Sequence, residues 1–250
     1  MSEVIKTTGL CKEKILFDVN FSMEKGELAA VMGPSGSGKS TLLYQLSGMD
    51  RPDGGQVIFD GENICSYSED MLADMRLNKM GFVFQQMNML PNLNIIDNII
   101  LPVHQSQKTK GGSKKSEAQL KHEAVTLMDK VGIAGIDNRK ITEVSGGQLQ
   151  RACICRAIMN HPKLLLADEP TGALNKASSE EIMRELVRLN REGMSILIVT
   201  HDSKIAACCD RVCFMADGKI SGELVLGKYE ASQKHNREIR VGNWLEQHGW

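Results

Sequence analysis

The chain has 250 residues, 42% hydrophobic and 24% charged, the balance of an ordinary folded protein with a sizeable core. Thirty Lys and Arg against 31 Asp and Glu leave a net charge of −1, which argues against a protein that grips nucleic acid by overall positive charge. The longest apolar runs, such as Leu28–Met32, have five residues, far short of the ~20 a membrane-spanning helix needs, and the start MSEVIKTTGL lacks the apolar stretch of a secretory signal.

Along the chain, β-type runs are expected at Glu27–Met32, Gln56–Asp60, Gly81–Phe84, Leu164–Asp168, Ile196–Thr200 and Arg211–Met215. Most are nearly continuous in apolar residues, as strands covered on both faces are. Helix-period segments lie between several of them, such as Ser179–Glu192 with Ile182, Met183, Leu186 and Leu189 apolar. This alternation predicts an α/β fold with a mainly parallel sheet. Residues 88–156 break the rhythm and read as a helical subdomain inserted into a core made of residues 1–87 and 157–222. Within the insert, His104–Ser116 is polar and carries Lys108, Lys110, Lys114 and Lys115. It reads as a solvated loop, with a patch that meets lipid headgroups as the alternative. Residues 223–250 form a tail with Trp244 and Trp250, expected to pack on the core partly as helix. Seven cysteines are scattered without a CxxC pair, so they read as small buried side chains rather than zinc ligands.

Gly33-Pro34-Ser35-Gly36-Ser37-Gly38-Lys39-Ser40 fits G-x-x-x-x-G-K-[ST], and Thr41 follows. It stands directly after a strand and opens a helix with Leu42, Leu43 and Leu46. Glycines let successive N–H groups turn toward phosphate oxygens, and the helix start adds its free N–H groups. Lys39 supplies a point charge to the β- and γ-phosphates, and Ser40 a hydroxyl to Mg²⁺. Leu164–Glu169 is a buried strand ending in two carboxylates. Asp168 can reach the Mg²⁺ shell, and Glu169 can accept a proton from an attacking water. The strand ending at Thr200 leads into His201 and Asp202; alone, that histidine would be a capping or surface residue. Ser145-Gly146-Gly147-Gln148 precedes a helical run from Leu149 to Met159. It reads either as an ordinary helix cap or as a second phosphate cradle. One chain needs only one cradle for one triphosphate, so a second would close on the nucleotide of another subunit.

With these motifs in this order, and with Gln85 in FVFQQ, the sequence resembles the ATP-binding subunits of ABC transporters over nearly its whole length. The wording GPSGSGKSTLL, FVFQQMNMLP, DEPTGALN and IVTHD is most similar to the branch serving lipoprotein release, macrolide export and bacitracin-type peptide resistance, with the cell-division ATPase of an FtsX-type membrane protein close by. The resemblance implies a P-loop NTPase core with a mainly parallel sheet, an antiparallel β edge and an inserted helical subdomain. It also implies a head-to-tail dimer with two ATP sandwiches, in which Gly33 to Thr41, Gln85, Asp168, Glu169 and His201 of one chain face Ser145 to Gln148 of the other. Glu169 would be the general base, His201 would hold the γ-phosphate and water, and Gln85 would join the Mg²⁺ shell with Ser40 and Asp168. The partner would be an integral-membrane permease of FtsX-like or macrolide-exporter-like type, with the ATPase peripheral on the cytoplasmic face of the plasma membrane and no nucleic acid involved.

Two departures stand out. Relatives usually place an aromatic residue against adenine upstream of the phosphate loop, whereas Leu10–Lys14 holds none and the first aromatic is Phe17. This predicts weak adenine discrimination unless Phe17 or another group substitutes. Asn175 stands where many relatives have aspartate, which predicts altered cross-dimer hydrogen bonding without loss of hydrolysis. Met75, Met80, Met87 and Met89 flank Gln85 and read either as part of a groove for the permease or as ordinary core. Among competing functions, an ATPase moving an FtsX-like protein for signalling or envelope remodelling shares every motif. A soluble ABC ATPase of DNA repair or translation fits a single 250-residue unit poorly, and a nucleotide kinase has no use for Ser145–Gln148.

Overall fold

The structure is a computed structural model that describes residues 2–109 and 115–250. Its strands are β1 (Glu3–Lys12), β2 (Leu16–Glu24), β3 (Leu28–Met32), β4 (Gly54–Phe59), β5 (Glu62–Asn63), β6 (Met80–Val83), β7 (Leu164–Asp168), β8 (Ser195–Val199), β9 (Arg211–Ala216) and β10 (Lys219–Val225). Its helices are α1 (Lys39–Leu46), α2 (Glu69–Lys79), α3 (Ile95–Thr109), α4 (Glu117–Lys130), α5 (Gly146–Ile158), α6 (Lys176–Arg191), α7 (Ser203–Ala206) and α8 (Lys234–Gln247). A six-stranded sheet runs β10-β9-β3-β8-β7-β6, parallel at every pairing except the β9–β10 hairpin. A four-stranded antiparallel sheet, β2-β1-β4-β5, packs beside it.

The main sheet is covered on both faces, which is why its strands read as unbroken apolar runs. All five residues of β3 are buried, and alternate ones serve opposite cores. Ala29 and Val31 join the antiparallel sheet, α1 and α2, whereas Leu28, Ala30 and Met32 join α6, α7 and α8. A third core holds α3, α4 and α5 together through Ile95, Ile99, Leu120, Met128 and Cys153. β1, β2 and β10 were absent from the expected set. They are antiparallel with one wetter face, and β10 alternates half-buried and exposed residues along its whole length.

Several boundaries differ from expectation. α6 starts at Lys176 rather than Ser179 because the Asn175 side chain accepts from the Ser178 N–H at 2.9 Å and caps the helix there. The expected loop at His104 is helix as far as Thr109, since α3 continues its apolar face through Val103. Lys115 pairs with Glu123 at 2.7 Å, and Lys110 and Lys114 lie outside the described residues. Met75, Met80 and Met89 are buried core side chains and Met87 is half-buried, so these methionines form no open groove. β10 runs through position 222 to Val225.

The tail then docks as α8. Val241 and Leu245 are buried, and Trp244 and Trp250 each present an edge to the Phe214 ring at 6.2 Å. Five of the seven cysteines are buried and Cys11 and Cys65 are half-buried. Burial pushes the Cys153 thiol up to about 11 and Cys155 and Cys213 up to about 12, which keeps them protonated at neutral pH. Among the described residues, no helix is long and apolar enough to cross a membrane.

Candidate active site

The loop between β3 and α1 is shaped by what cannot fit there. A Cβ on Gly33 would fall 1.9 Å from the Met215 carbonyl oxygen, and one on Gly38 2.8 Å from Leu16 Cδ2. Both glycines also have φ in the left-handed half, at 153° and 102°. α2, α4, α5 and α6 are capped by Ser68, Ser116, Ser145 and Asn175, whereas α1, like α8, has neither a side-chain cap nor an acid in its first turn. Its first N–H groups are therefore available to an anion. Lys39 Nζ donates to the carbonyls of Gly33 at 2.7 Å and Pro34 at 2.8 Å, folding back over the loop. Burial lowers its pKa, and Glu169 and Asp168 oppose that shift. Ser37 Oγ is buried without a hydrogen-bond partner among the described residues. Pro34, Ser35 and Gly36 are exposed at the loop's crest, and Ser40 and Thr41 open α1.

The carboxylates arrive from β7, whose C-terminal end lies between those of β6 and β8. Ser40 Oγ donates to Asp168 Oδ1 at 3.3 Å, so two of the three residues read as metal ligands are already adjacent. Burial raises the Asp168 pKa, the Ser40 hydrogen bond partly offsetting it. Glu169 sits at φ 47°, uncommon for a non-glycine residue, with its N–H bonded to Val199 O at 2.9 Å. Its Oε1 lies 2.7 Å from His201 Nδ1, and its Oε2 accepts from Thr200 Oγ1 at 3.3 Å. His201 is otherwise open to solvent. The structure thus brings residues 33–41, Asp168, Glu169 and His201 into one cluster.

Two expected participants stand apart from it. The exposed Gln85 amide lies 3.1 Å from the place a Cβ on Gly172 would take, beside the loop that follows Glu169. No hydrogen bond joins it to Ser40 or Asp168 among the described residues. Ser145 and Gln148 close a capping box on α5: Ser145 Oγ accepts from the Gln148 N–H at 3.3 Å, and Gln148 Oε1 accepts from the Ser145 N–H at 2.9 Å. Gly146 and Gly147 abut Leu174 and Ser178 at the start of α6. No hydrogen bond joins residues 145–148 to 33–41 among the described residues.

Sequence reasoning passed over Thr200, whose hydroxyl meets the Glu169 carboxylate. It also missed Gln150, which donates to Pro170 O at 2.7 Å and ties α5 to the stretch after Glu169. Thr200 directly follows the apolar strand β8, and Gln150 is one of several polar residues on α5, so neither position stands out in the sequence. A cavity of about 810 Å³ lies elsewhere, walled by α6, α7 and residues 229–234. The phosphate loop takes no part in it.

The donor set suits a hard cation with phosphates: one hydroxyl and one carboxylate, both oxygen ligands. Among the described residues no group of three or more His, Cys, Asp or Glu side chains could hold a metal by itself. The orphaned Ser37 hydroxyl, the uncapped α1 and the glycine-only cradle fit a nucleotide phosphate chain.

Fold and site together define a nucleoside-triphosphate-hydrolysing cassette with an inserted helical subdomain. Residues 16–172 match the ABC transporter family model, and the chain belongs to that family as an ATP-binding, ATP-hydrolysing subunit. It is 42% identical over 234 residues to the Bacillus subtilis (strain 168) protein named uncharacterized ABC transporter ATP-binding protein YknY, covering 91% of this chain and 99% of that one. It is 39% identical over 210 residues to the macrolide export ATP-binding/permease protein MacB of Syntrophobacter fumaroxidans, covering 84% of this chain and 29% of that protein. Among solved structures it is similar to the dimeric MJ0796, a bacterial ABC transporter cassette, with a TM-score of 0.81, 36% identity and 90% and 100% coverage. A post-hydrolysis form of that dimer bound to ADP and Pi superposes with a TM-score of 0.80.

Proposed function

We propose that this chain is one half of a head-to-tail dimer that closes on two ATP molecules and drives an exporter-type membrane permease from the cytoplasmic face. The observation that carries this reading is the cluster at the strand ends: Ser40 on Asp168, with Glu169 held against His201, beside a helix start left without a cap. The dimeric form of MJ0796 and the MacB relatives support the second copy and the permease.

Phosphates entering the loop replace the Gly33 and Pro34 carbonyls as partners of Lys39 and bond the first N–H groups of α1. Ser40 and Asp168 would hold Mg²⁺, which when bound neutralises charge on the phosphate oxygens. Gln85, which lies beside Gly172, would add its amide oxygen as a further ligand. Glu169 accepts the proton of the attacking water, and His201 turns from the carboxylate to the γ-phosphate. In the second chain Ser145 already accepts from Gln148, which leaves its O–H to donate to the γ-phosphate across the interface. Catalysis here is placement and charge neutralisation rather than covalent chemistry.

The test is ATPase activity of the purified chain beside Glu169→Gln, with mass measured with and without Mg-ATP. Wild type should hydrolyse ATP, and the variant should accumulate as an ATP-bound dimer. Turnover by Glu169→Gln at the wild-type rate would remove Glu169 from the role of base.

A further inference from the structure

We infer that Thr200 is the positioning residue of this site, its single hydroxyl joining the Glu169 carboxylate to the turn that carries His201. The inference rests on the reading of Glu169 as the base. Thr200 is fully buried at the C-terminal end of β8, with its N–H bonded to Val31 O on β3 at 3.1 Å. A threonine hydroxyl offers one hydrogen and two lone pairs. Here the hydrogen goes to Glu169 Oε2 at 3.3 Å, and a lone pair accepts the Asp202 N–H at 3.1 Å. Glu169 Oε1 meets His201 Nδ1, so the carboxylate, the hydroxyl and the 201–202 turn form one hydrogen-bonded loop.

The backbone adds to the case. Glu169 is held at a φ its side chain disfavours, and its N–H is tied to Val199, the residue just before Thr200. Both ends of Glu169, main chain and carboxylate, are therefore fixed by Val199, the last residue of β8, and by Thr200, which follows it. A general base must sit within hydrogen-bond reach of its water, and a glutamate has enough rotatable bonds to miss. Replacing the hydroxyl by a methyl group leaves Oε2 without its donor and the Asp202 N–H without its acceptor, while hardly changing the volume filled. The phosphate loop is untouched by that change, so ATP binding should persist while turnover falls.

The experiment compares steady-state ATPase kinetics and thermal melting of the full chain carrying Thr200→Val, Thr200→Ser or Thr200→Ala, each also combined with Glu169→Gln. Thr200→Val should lower kcat about tenfold with KM for ATP within about twofold, and Thr200→Ser should stay within about threefold of wild type. A packing role predicts the opposite order, because Val keeps the shape and loses the hydroxyl whereas Ser keeps the hydroxyl and loses a methyl. The Ser and Ala variants repeat the comparison at smaller volume, and decide it if the Val protein does not fold. On the Glu169→Gln background, Thr200→Val should change residual turnover by less than about twofold, since both act through one carboxylate. Val at the wild-type rate, Ser no better than Ala, or an undiminished Val effect beside Glu169→Gln each overturns the assignment. Wild-type turnover by Glu169→Gln alone would instead overturn the reading of the base and leave the Thr200 order as a separate result.

Discussion

Arg237 on α8 is buried to 2% exposure, and among the described residues its guanidinium hydrogen-bonds to carbonyl oxygens alone. Nε donates to Ala207 O at 2.7 Å and one terminal nitrogen to Cys209 O at 2.5 Å. The other donates to Leu226 O and Gly227 O at 3.1 Å and to Lys228 O at 3.3 Å, and Tyr229 stacks 5.5 Å from the guanidinium carbon. No carboxylate is within ion-pair distance among the described residues. Burial lowers the Arg237 pKa, with the Asp210 charge opposing it. The arginine joins the end of α7, the stretch after β10 and the tail at one point. Arg237→Met keeps the aliphatic stem and deletes the donors, stranding five carbonyls. At about 1 kcal/mol for each lost hydrogen bond, less the desolvation no longer required by a buried charge, the cost should be about 2–4 kcal/mol. For a chain of this size that lowers Tm by about 5–15 °C. Urea and thermal melts of wild type and Arg237→Met measure it. A difference under about 0.5 kcal/mol would mean that the carbonyls find other partners and that this anchor contributes nothing net.

Other outcomes follow from single contacts. Leu10–Lys14 holds no aromatic side chain and the exposed Phe17 ring lies beside Gly218, so ATP and GTP should be turned over within about threefold of each other; a strong preference for ATP in paired kcat/KM measurements would refute this. Asn175→Asp should leave stability within about 0.5 kcal/mol and hydrolysis intact, because either side chain caps α6; a variant that alone hydrolysed ATP would show that position 175 acts beyond the cap. Asp60 is held below the usual carboxylate range by hydrogen bonds from Lys163 and then Lys25, so its contribution is full above pH ~4 and is lost as pH falls through the depressed folded pKa. Asp60→Asn, which tolerates the same φ of 50°, should cost up to about 1 kcal/mol at pH 7, the difference from wild type shrinking as pH falls through the depressed pKa in paired urea melts. Met89→Glu should unfold the helical subdomain rather than uncouple transport, since it places an unpaired carboxylate in a buried site; a folded variant by circular dichroism would count against this.

What could be read from the sequence and what could not divide along a physical line. Gly33 to Ser40 was legible because a backbone that wraps phosphate needs glycine at fixed places, so the motif is a record of excluded side chains. β3, β7 and β8 were legible because burial on both faces leaves almost no polar letters. β1, β2 and β10 were hidden, since antiparallel strands with a wet face mix both alphabets. Thr200, Gln150 and Arg237 were hidden for a different reason. Each is a polar residue whose partner is a main-chain carbonyl or a side chain supplied by another element, and no spacing rule predicts which element the fold brings near. The same line runs through the candidate site. Its phosphate loop and carboxylates meet within one chain, whereas Ser145–Gln148 closes a capping box on its own helix and hydrogen-bonds to neither among the described residues. A cap explains the Ser and the Gln at this spacing, but the pair of glycines between them exceeds what capping requires. Gly147 is explained locally, because a Cβ there would fall 2.8 Å from Ser178 Oγ. Gly146 is not, since its nearest neighbour, Leu174, would be at an ordinary 3.5 Å. No contact among the described residues requires a bare backbone at position 146, which fits the proposed reading in which a second copy brings its phosphate there.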